Sequence, residues 1–450
     1  MRSDDTDAVT AAASGDSATA VPNGDPATDP ATTPPRTPVR LRDDPDFRRY
    51  WLARALSTMG SMVTAIALPV LVYRLSGSPF LTALVTALEA APYLLAGLFA
   101  GALADRWNRK RVMVAADLLN ALLISSVPIA YWLGGLTVVH VLVVAFLVQG
   151  VATFFDGANF GALPVLVGRA RVAQANAAVW TASSLIELFV PALVGLALAA
   201  ISPAALLTLD ALSFAASALA VRGIVRAMSQ QRDGRAPLRP RVVFADIAEG
   251  VRFLVRHAGV RTMTIVGSIQ SFAGGGFMAL MVVWTDRVLD IGTSGLRFGL
   301  VYGAWGIGAL AAAVGLPRLL RRLQPAGITL YALPASAALG VVTPLMPTWP
   351  LAAIALLVWG SAYVLVIVNS ISYRQQVTPE HLLGRVNTAG RMLSWGVGWT
   401  LGSVTGGVIG SHLGARSAML VLGVFAFTGV LVAWTSPLRR LAAEVDPAAT

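Results

Sequence analysis

The sequence predicts an all-α membrane protein of twelve transmembrane helices, and three observations carry that prediction. Of 450 residues, 56% are hydrophobic and only 13% charged, against about 25% charged in a typical soluble domain. From Phe47 onward the apolar residues gather into segments of about 20, each long enough to cross a hydrocarbon core of about 30 Å. The charges fall in the short breaks between those segments. An outer-membrane barrel is excluded, because its strands alternate polar and apolar over about ten residues. These segments are uniformly apolar over twice that length.

The elements follow in order. Residues 1–46 are rich in Ala, Asp, Thr and Pro, with acids at Asp4, Asp5, Asp7, Asp16, Asp25, Asp29, Asp43 and Asp44. Without apolar content they are expected to form a disordered tail, and they lack the basic start and apolar centre of a signal peptide. Six spans are expected at 50–73, 81–103, 112–133, 138–160, 178–200 and 203–224. Six more are expected at 262–285, 297–316, 326–346, 349–372, 387–410 and 414–436. The halves therefore run over 47–224 and 261–437, with a short tail at 438–450.

Between them, residues 225–260 carry seven arginines: 226, 232, 235, 239, 241, 252 and 256. Phe244, Ile247, Val251, Leu254 and Val255 recur at helical spacing, with Asp246, Glu249, Arg252 and Arg256 on the other face. The pattern predicts an amphipathic helix at the cytoplasmic membrane interface, serving in gating or lipid sensing or, more simply, as a tether that joins the two bundles.

Twelve spans put both termini on one side. All but four of the 34 basic residues fall in or near that side; the exceptions are Arg74, Arg287, Arg297 and Arg416. The positive-inside rule makes the arginine-rich side cytoplasmic. The two halves also read as repeats, a common transporter pattern. Gly398, Gly402, Ser403, Gly406 and Gly407 place small residues at helical spacing, which lets helix backbones approach closely. Pro191 and Gly195 are their weaker counterpart in the fifth span. Similarly, the basic run Arg318, Arg321, Arg322 follows the eighth span as Arg106–Arg111 follows the second.

Several function classes are excluded. The chain has no cysteine, so thiolate metal sites and cysteine nucleophiles are absent. His140, His257, His381 and His412 form no cluster at metal-ligand spacing, and no metal or other cofactor is expected. The net charge of +11 is explained by topology, so no nucleic-acid partner is expected. A phosphate-binding loop needs a lysine after a glycine-rich turn. Lys110 is the only lysine and lacks that context, which argues against ATP as the energy source. Nothing points to an enzyme.

Charges within the spans remain. An ionised side chain at the bilayer centre costs about 2.5–3.5 kcal/mol on insertion scales, so carboxyl groups there invite a functional reading. Glu89, Glu187 and Asp210 lie near span centres and are the candidates for proton coupling; Asp117 lies nearer one end and reads as structural. A carboxyl group that alternates between apolar and aqueous surroundings can bind and release a proton. Candidates to line a substrate cavity are Arg54, Gln270, Tyr363, Asn369, Arg391 and Trp395. Trp305, Trp359 and Trp399 are further aromatic candidates.

Residues 47–437 resemble the major facilitator superfamily, in particular its twelve-helix drug and siderophore exporter branch. The resemblance rests on Phe47-Arg-Arg-Tyr-Trp51 and on Gly101-Ala-Leu-Ala-Asp105-Arg106-Trp-Asn-Arg109-Lys110-Arg111. It rests also on Phe154-Phe-Asp156-Gly, Ala173-Gln-Ala-Asn176 and Leu209-Asp210-Ala-Leu-Ser-Phe214. In the second half it is carried by Asp246-Ile-x2-Gly250-x-Arg252 and Leu383-Gly-Arg385-Val. It implies two six-helix bundles that expose a central cavity to alternate sides. It also implies that Gly101, Asp105, Arg106 and Arg109 form a cytoplasmic gate motif, with Asp105 meeting the start of the eleventh span and Arg109 pairing with Asp156. Proton-coupled antiporters of the superfamily carry Gly-x3-Gly-Pro-x2-Gly-Gly in the fifth span. Here Ile186, Val190, Pro191, Val194 and Gly195 stand at those positions, so three of the four glycines are replaced.

The expected activity is proton-coupled efflux of a small amphipathic compound across the cytoplasmic membrane by a monomer, with the lipid bilayer, the substrate and protons as partners. The alternatives are an importer or facilitator of a small polar solute, and a transport-inactive sensor or scaffold of the same fold.

Overall fold

A computed structural model of the chain describes residues 41–95, 107–229 and 240–439. The described part is built of helices. In the first half these are α1 (Pro45–Ser76), α2 (Pro79–Ala90), α3 (Pro92–Leu95), α4 (Arg109–Trp132), α5 (Val138–Val167), α6 (Val172–Ala200) and α7 (Pro203–Arg222). After them come α8 (Pro240–Arg256), α9 (Ala258–Ala279), α10 (Met281–Arg287), α11 (Gly295–Leu320), α12 (Pro325–Val342) and α13 (Trp349–Val377). The last are α14 (Glu380–Arg391), a π-helical stretch (Met392–Trp399), α15 (Thr400–Leu413) and α16 (Ala415–Thr435).

The sequence marks the helix starts clearly. Asp44 caps α1 by accepting from the backbone N–H of Asp46 at 3.1 Å and of Phe47 at 3.4 Å, a contact worth about 1 kcal/mol. Ser78, Asn108, Thr137, Ser202 and His257 cap α2, α4, α5, α7 and α9 in the same way. Gly77 ends α1 with φ 62°, a left-handed turn that glycine enters without steric cost.

Nine described helices are long and apolar enough to cross a membrane, or ten if the α9–α10 pair, bent by 46°, is one span. The expected second span is described only from its start to Leu95. The expected eleventh is divided into α14, the π-helical stretch and α15, because the π turn interrupts the regular backbone ladder.

One other expectation is corrected. The tail was expected to reach residue 46, but Leu41–Asp43 forms a 3-10 turn with Leu41 buried. Asp46 then accepts from the backbone N–H of Val225 and Arg226, both at 3.0 Å, so residues 41–46 belong to the folded unit. The expected amphipathic helix forms as α8 and packs on α14. Leu254 is buried with Leu382, Val386 and Ala389, Glu249 pairs with Arg385, and a Cβ on Gly250 would stand 2.8 Å from the Arg385 carbonyl.

Packing follows the division into halves. In the first half α1 and α4 both pack on α7, and α4 packs on α5; in the second α11 and α12 pack on α13, and α9 packs on α15 and α16. The halves meet where α6 crosses α11 and where α2 crosses α15 and α9. Glycine makes both crossings close. A Cβ on Gly299 would lie 2.5 Å from the Pro191 carbonyl, and one on Gly195 would lie 2.6 Å from the Gly295 carbonyl. At the other crossing a Cβ on Gly407 would meet the Ala83 methyl at 2.7 Å. Of the small residues picked out from spacing, Pro191, Gly195 and Gly407 lie at these crossings, whereas Gly398, Gly402 and Gly406 face the α9 backbone at Ser268, Phe272 and Gly276 within the second half.

Candidate functional site at the seam between the halves

The four intramembrane carboxyl groups separate into two kinds. Asp210 on α7 is fully buried. It accepts from Thr64 Oγ1 on α1 and, at 3.1 Å, from Ser213 Oγ. Asp117 on α4 accepts from Ser217 Oγ of α7 at 2.6 Å. Both tie helices of the first half together. Asp210, one of the three coupling candidates, straps α1 to α7 as a buried polar group satisfied by its neighbours.

Glu89 and Glu187 are different. Both are partly exposed, and among the described residues neither carboxyl group has a hydrogen-bond or ion-pair partner. Glu187 sits at the α6–α11 crossing, where a Cβ on Gly306 would lie 3.0 Å from its carbonyl and 3.8 Å from its Cβ. Glu89 lies on α2 at the other crossing, beyond the Ala87 carbonyl that accepts from Thr400 of α15 at 3.4 Å. It interacts electrostatically with Tyr302 of α11. An unpaired acid in apolar surroundings is costly to keep ionised.

Aromatic rings line the same region. Trp395 and Trp399, one turn apart on the π-helical stretch, stack with centroids 5.0 Å apart and planes 6° from parallel. Trp395 is 44% exposed and approaches Tyr93 of α3 at 6.5 Å. The Arg391 guanidinium lies 4.8 Å from the Tyr93 ring, and Tyr93 Oη donates to Asp156 of α5 at 3.4 Å. Tyr93 thus joins an arginine of one half to a carboxylate of the other.

The arginine-poor end is closed by a denser polar clasp. Tyr73 Oη, near the end of α1, donates to Asp286 Oδ2 at 2.6 Å and accepts from Arg287 Nε at 2.9 Å. Arg287 also donates to the Gly77 carbonyl at 2.8 Å. Arg74 Nε donates to Thr293 Oγ1 at 3.1 Å. Sequence reading treated Arg74 and Arg287 as topology markers only; the adjacent Asp286-Arg287 pair at a span end was the available signal.

The remaining candidates scatter. Gln270 is buried in the second half, where its Nε2 donates to Ser336 Oγ at 2.6 Å. Asn369 is fully buried, donating to the Leu365 carbonyl at 2.8 Å. Tyr363 is covered by Gly274 and by Trp305, with centroids 5.0 Å apart. Trp359 packs edge-on to Phe277 at 4.5 Å. These four side chains are buried within the second half. Arg54 lies over the Phe155 ring at 5.3 Å within the first half. Gly101, Asp105 and Arg106 lie outside the described residues. Arg109 donates from Nη1 to the Gly161 carbonyl at 2.8 Å, and Asp156 accepts from Tyr93 Oη at 3.4 Å. Among the described residues no group of His, Asp and Glu is placed to hold a metal ion.

Two helical halves in contact along glycine-lined crossings, with unpaired acids at the contact and a polar clasp at one end, define a membrane transporter rather than an enzyme. A family model described as transmembrane secretion effector matches residues 37–450. The chain belongs to that family of major facilitator superfamily transporters. It is 29% identical over 391 residues to the multidrug efflux pump Tap of Mycolicibacterium fortuitum, covering 85% of this chain and 93% of that one. It is 27% identical over 392 residues to the enterobactin exporter EntS of Citrobacter koseri, covering 84% and 87%. The fold matches the nucleoside transporter NupG with TM-score 0.69 at 12% identity, over 90% of this chain and 100% of that one. It also matches a bacterial homolog of the lysosomal transporter Spinster in an inward-facing, unoccupied conformation, with TM-score 0.64 at 13% identity over 89% and 98%.

Proposed function

We propose that the protein exports a small amphipathic compound in exchange for protons, by alternating access, from the cytoplasmic membrane with both termini in the cytoplasm. Residues 47–224 and 261–437 act as two six-helix bundles of a monomer, twelve spans in all, joined by the 225–260 segment. The observation that carries the reading is the pair of unpaired acids, Glu187 and Glu89, at the only kind of place where a bundle movement changes their access to water. The names of the relatives Tap and EntS, both exporters, favour the outward direction.

The clasp of Tyr73, Asp286 and Arg287 closes the arginine-poor side, which the positive-inside rule makes external. The inward-facing state is the one in which it is made. Gly101, Asp105 and Arg106, with Arg109, serve the opposite gate. The replaced glycines at positions 186, 190 and 194 leave Pro191 and Gly195 as the contact with α11. Cells that lack other exporters test the direction: expression should lower accumulation of a fluorescent amphipathic dye, and an uncoupler should restore it. Dye accumulation that rises on expression would support import instead.

A further inference from the structure

Helix α8 has a docked face and an open one. On the docked face Gly250 and Leu254 are buried, Gly250 against the Arg385 backbone of α14 and Leu254 beside Leu382, Val386 and Ala389. Tyr373, near the arginine-rich end of α13, packs on the same cluster. His257, which follows α8, caps α9 by accepting from the Val260 N–H at 3.3 Å. These contacts fix α8 where α9 and α13 reach the arginine-rich boundary of the membrane. The open face is the stripe Ala245, Ala248, Arg252, Val255 and Arg256, which recurs at helical spacing, and all five are exposed. Arg261, in the first turn of α9, is exposed beside it and donates from Nη1 to the Val255 carbonyl at 3.1 Å.

Charge on the open face is one-sided. Glu249, at its edge, is held by Arg385. Arg252 and Arg256 meet no acid among the described residues. Val255 stands between them, 50% exposed. We propose that Arg252, Val255, Arg256 and Arg261 dock on anionic phospholipid headgroups of the cytoplasmic leaflet. The guanidiniums take the phosphates, which they can meet with paired N–H donors, and Val255 enters the boundary with the acyl chains. Each arginine near an anionic membrane surface strengthens the attraction by about fivefold. An acidic protein would satisfy the guanidiniums but offer no apolar layer to Val255. Because α8 is fixed to α14, the bound headgroups anchor the start of the eleventh span to the membrane surface. The inference concerns neither cargo nor energy source, so it stands apart from the export reading.

The test uses the full-length chain, which has no cysteine, so Val255→Cys takes a single bimane label that keeps the site apolar. The labelled protein is reconstituted into phosphatidylcholine vesicles. These carry a trace of phosphatidylglycerol or of phosphatidylcholine, each with a nitroxide high on its acyl chain. The phosphatidylglycerol probe should quench the label at least about threefold more strongly than the phosphatidylcholine probe. Salt at about 1 M, where the screening length falls to about 3 Å, should remove that preference. The double variant Arg252→Gln/Arg256→Gln should lose it, and Arg252→Lys/Arg256→Lys should keep most of it. Arg416→Gln, exposed on the arginine-poor side, should leave it unchanged. Equal quenching by the two probes with all arginines in place would overturn the inference whether or not any variant folds. A preference undiminished in Arg252→Gln/Arg256→Gln would overturn it equally.

Discussion

The Tyr73 hydroxyl stands 2.6 Å from Asp286 Oδ2 and 2.9 Å from Arg287 Nε, so one side chain of α1 is held by both charged residues that end α10. The Arg287 guanidinium also lies 5.6 Å from the Tyr73 ring. These are contacts between the two halves, and they must break if the arginine-poor end is to open.

Replacing Tyr73 with Phe keeps the ring and removes both hydrogen bonds. At about 1 kcal/mol each, their loss shifts the balance toward opening by roughly tenfold or more. The natural chain has no cysteine, so a single Ser294→Cys probe reports cleanly. Its labelling by a membrane-impermeant maleimide is expected to speed up by about that factor in Tyr73→Phe. An unchanged rate would remove the clasp from the account.

The glycine contact at the α6–α11 crossing predicts a position-specific effect. A methyl on Gly299 would meet the Pro191 carbonyl at 2.5 Å, whereas one on Gly315 meets nothing within 4 Å. Overpacking of this kind costs about 1–3 kcal/mol. Gly299→Ala should therefore lengthen the distance between spin labels at Ser202→Cys and Ser294→Cys, and Gly315→Ala should leave it unchanged. Equal distances in both variants would show that the crossing tolerates a side chain.

Asp210 separates structural from coupling roles. Its carboxyl group accepts from Thr64 at Oδ2 and from Ser213 at Oδ1; in Asn the carbonyl oxygen keeps the Thr64 contact, while the amide N–H can donate to the Ser213 hydroxyl, which already donates to the Asp210 backbone carbonyl. Asp210→Asn should transport within about twofold of the unmutated protein. Asp210→Ala strands two buried hydroxyls, a loss of about 1–3 kcal/mol, and should lower the melting temperature measured in detergent. Lost proton coupling in Asp210→Asn with an unchanged melting temperature would return this residue to the coupling set.

Much of this was legible in the chain itself. Hydropathy located the spans, because about 20 apolar residues are what a bilayer crossing needs. Pro191, Gly195 and Gly407 were legible as contacts, since only small residues allow backbones so close. What was not legible depends on rotation about the helix axis. Asp210 and Glu187 look alike in sequence, yet one faces Thr64 and Ser213 while the other faces the crossing. Gln270 and Asn369 were read as cavity residues and prove to be buried. Tyr93 was missed because its importance comes from Arg391 and Asp156, residues distant in sequence. The same holds for Tyr73 and Asp286.

The most direct test of the whole account concerns Glu187. In everted membrane vesicles, an imposed pH gradient, acidic inside, should drive uptake of a fluorescent amphipathic dye by the unmutated protein. Glu187→Gln should abolish that gradient-driven uptake while leaving dye binding to the purified protein intact. Gradient-driven uptake that is undiminished in Glu187→Gln, or that ignores an uncoupler in the unmutated protein, would contradict proton-coupled export through this seam.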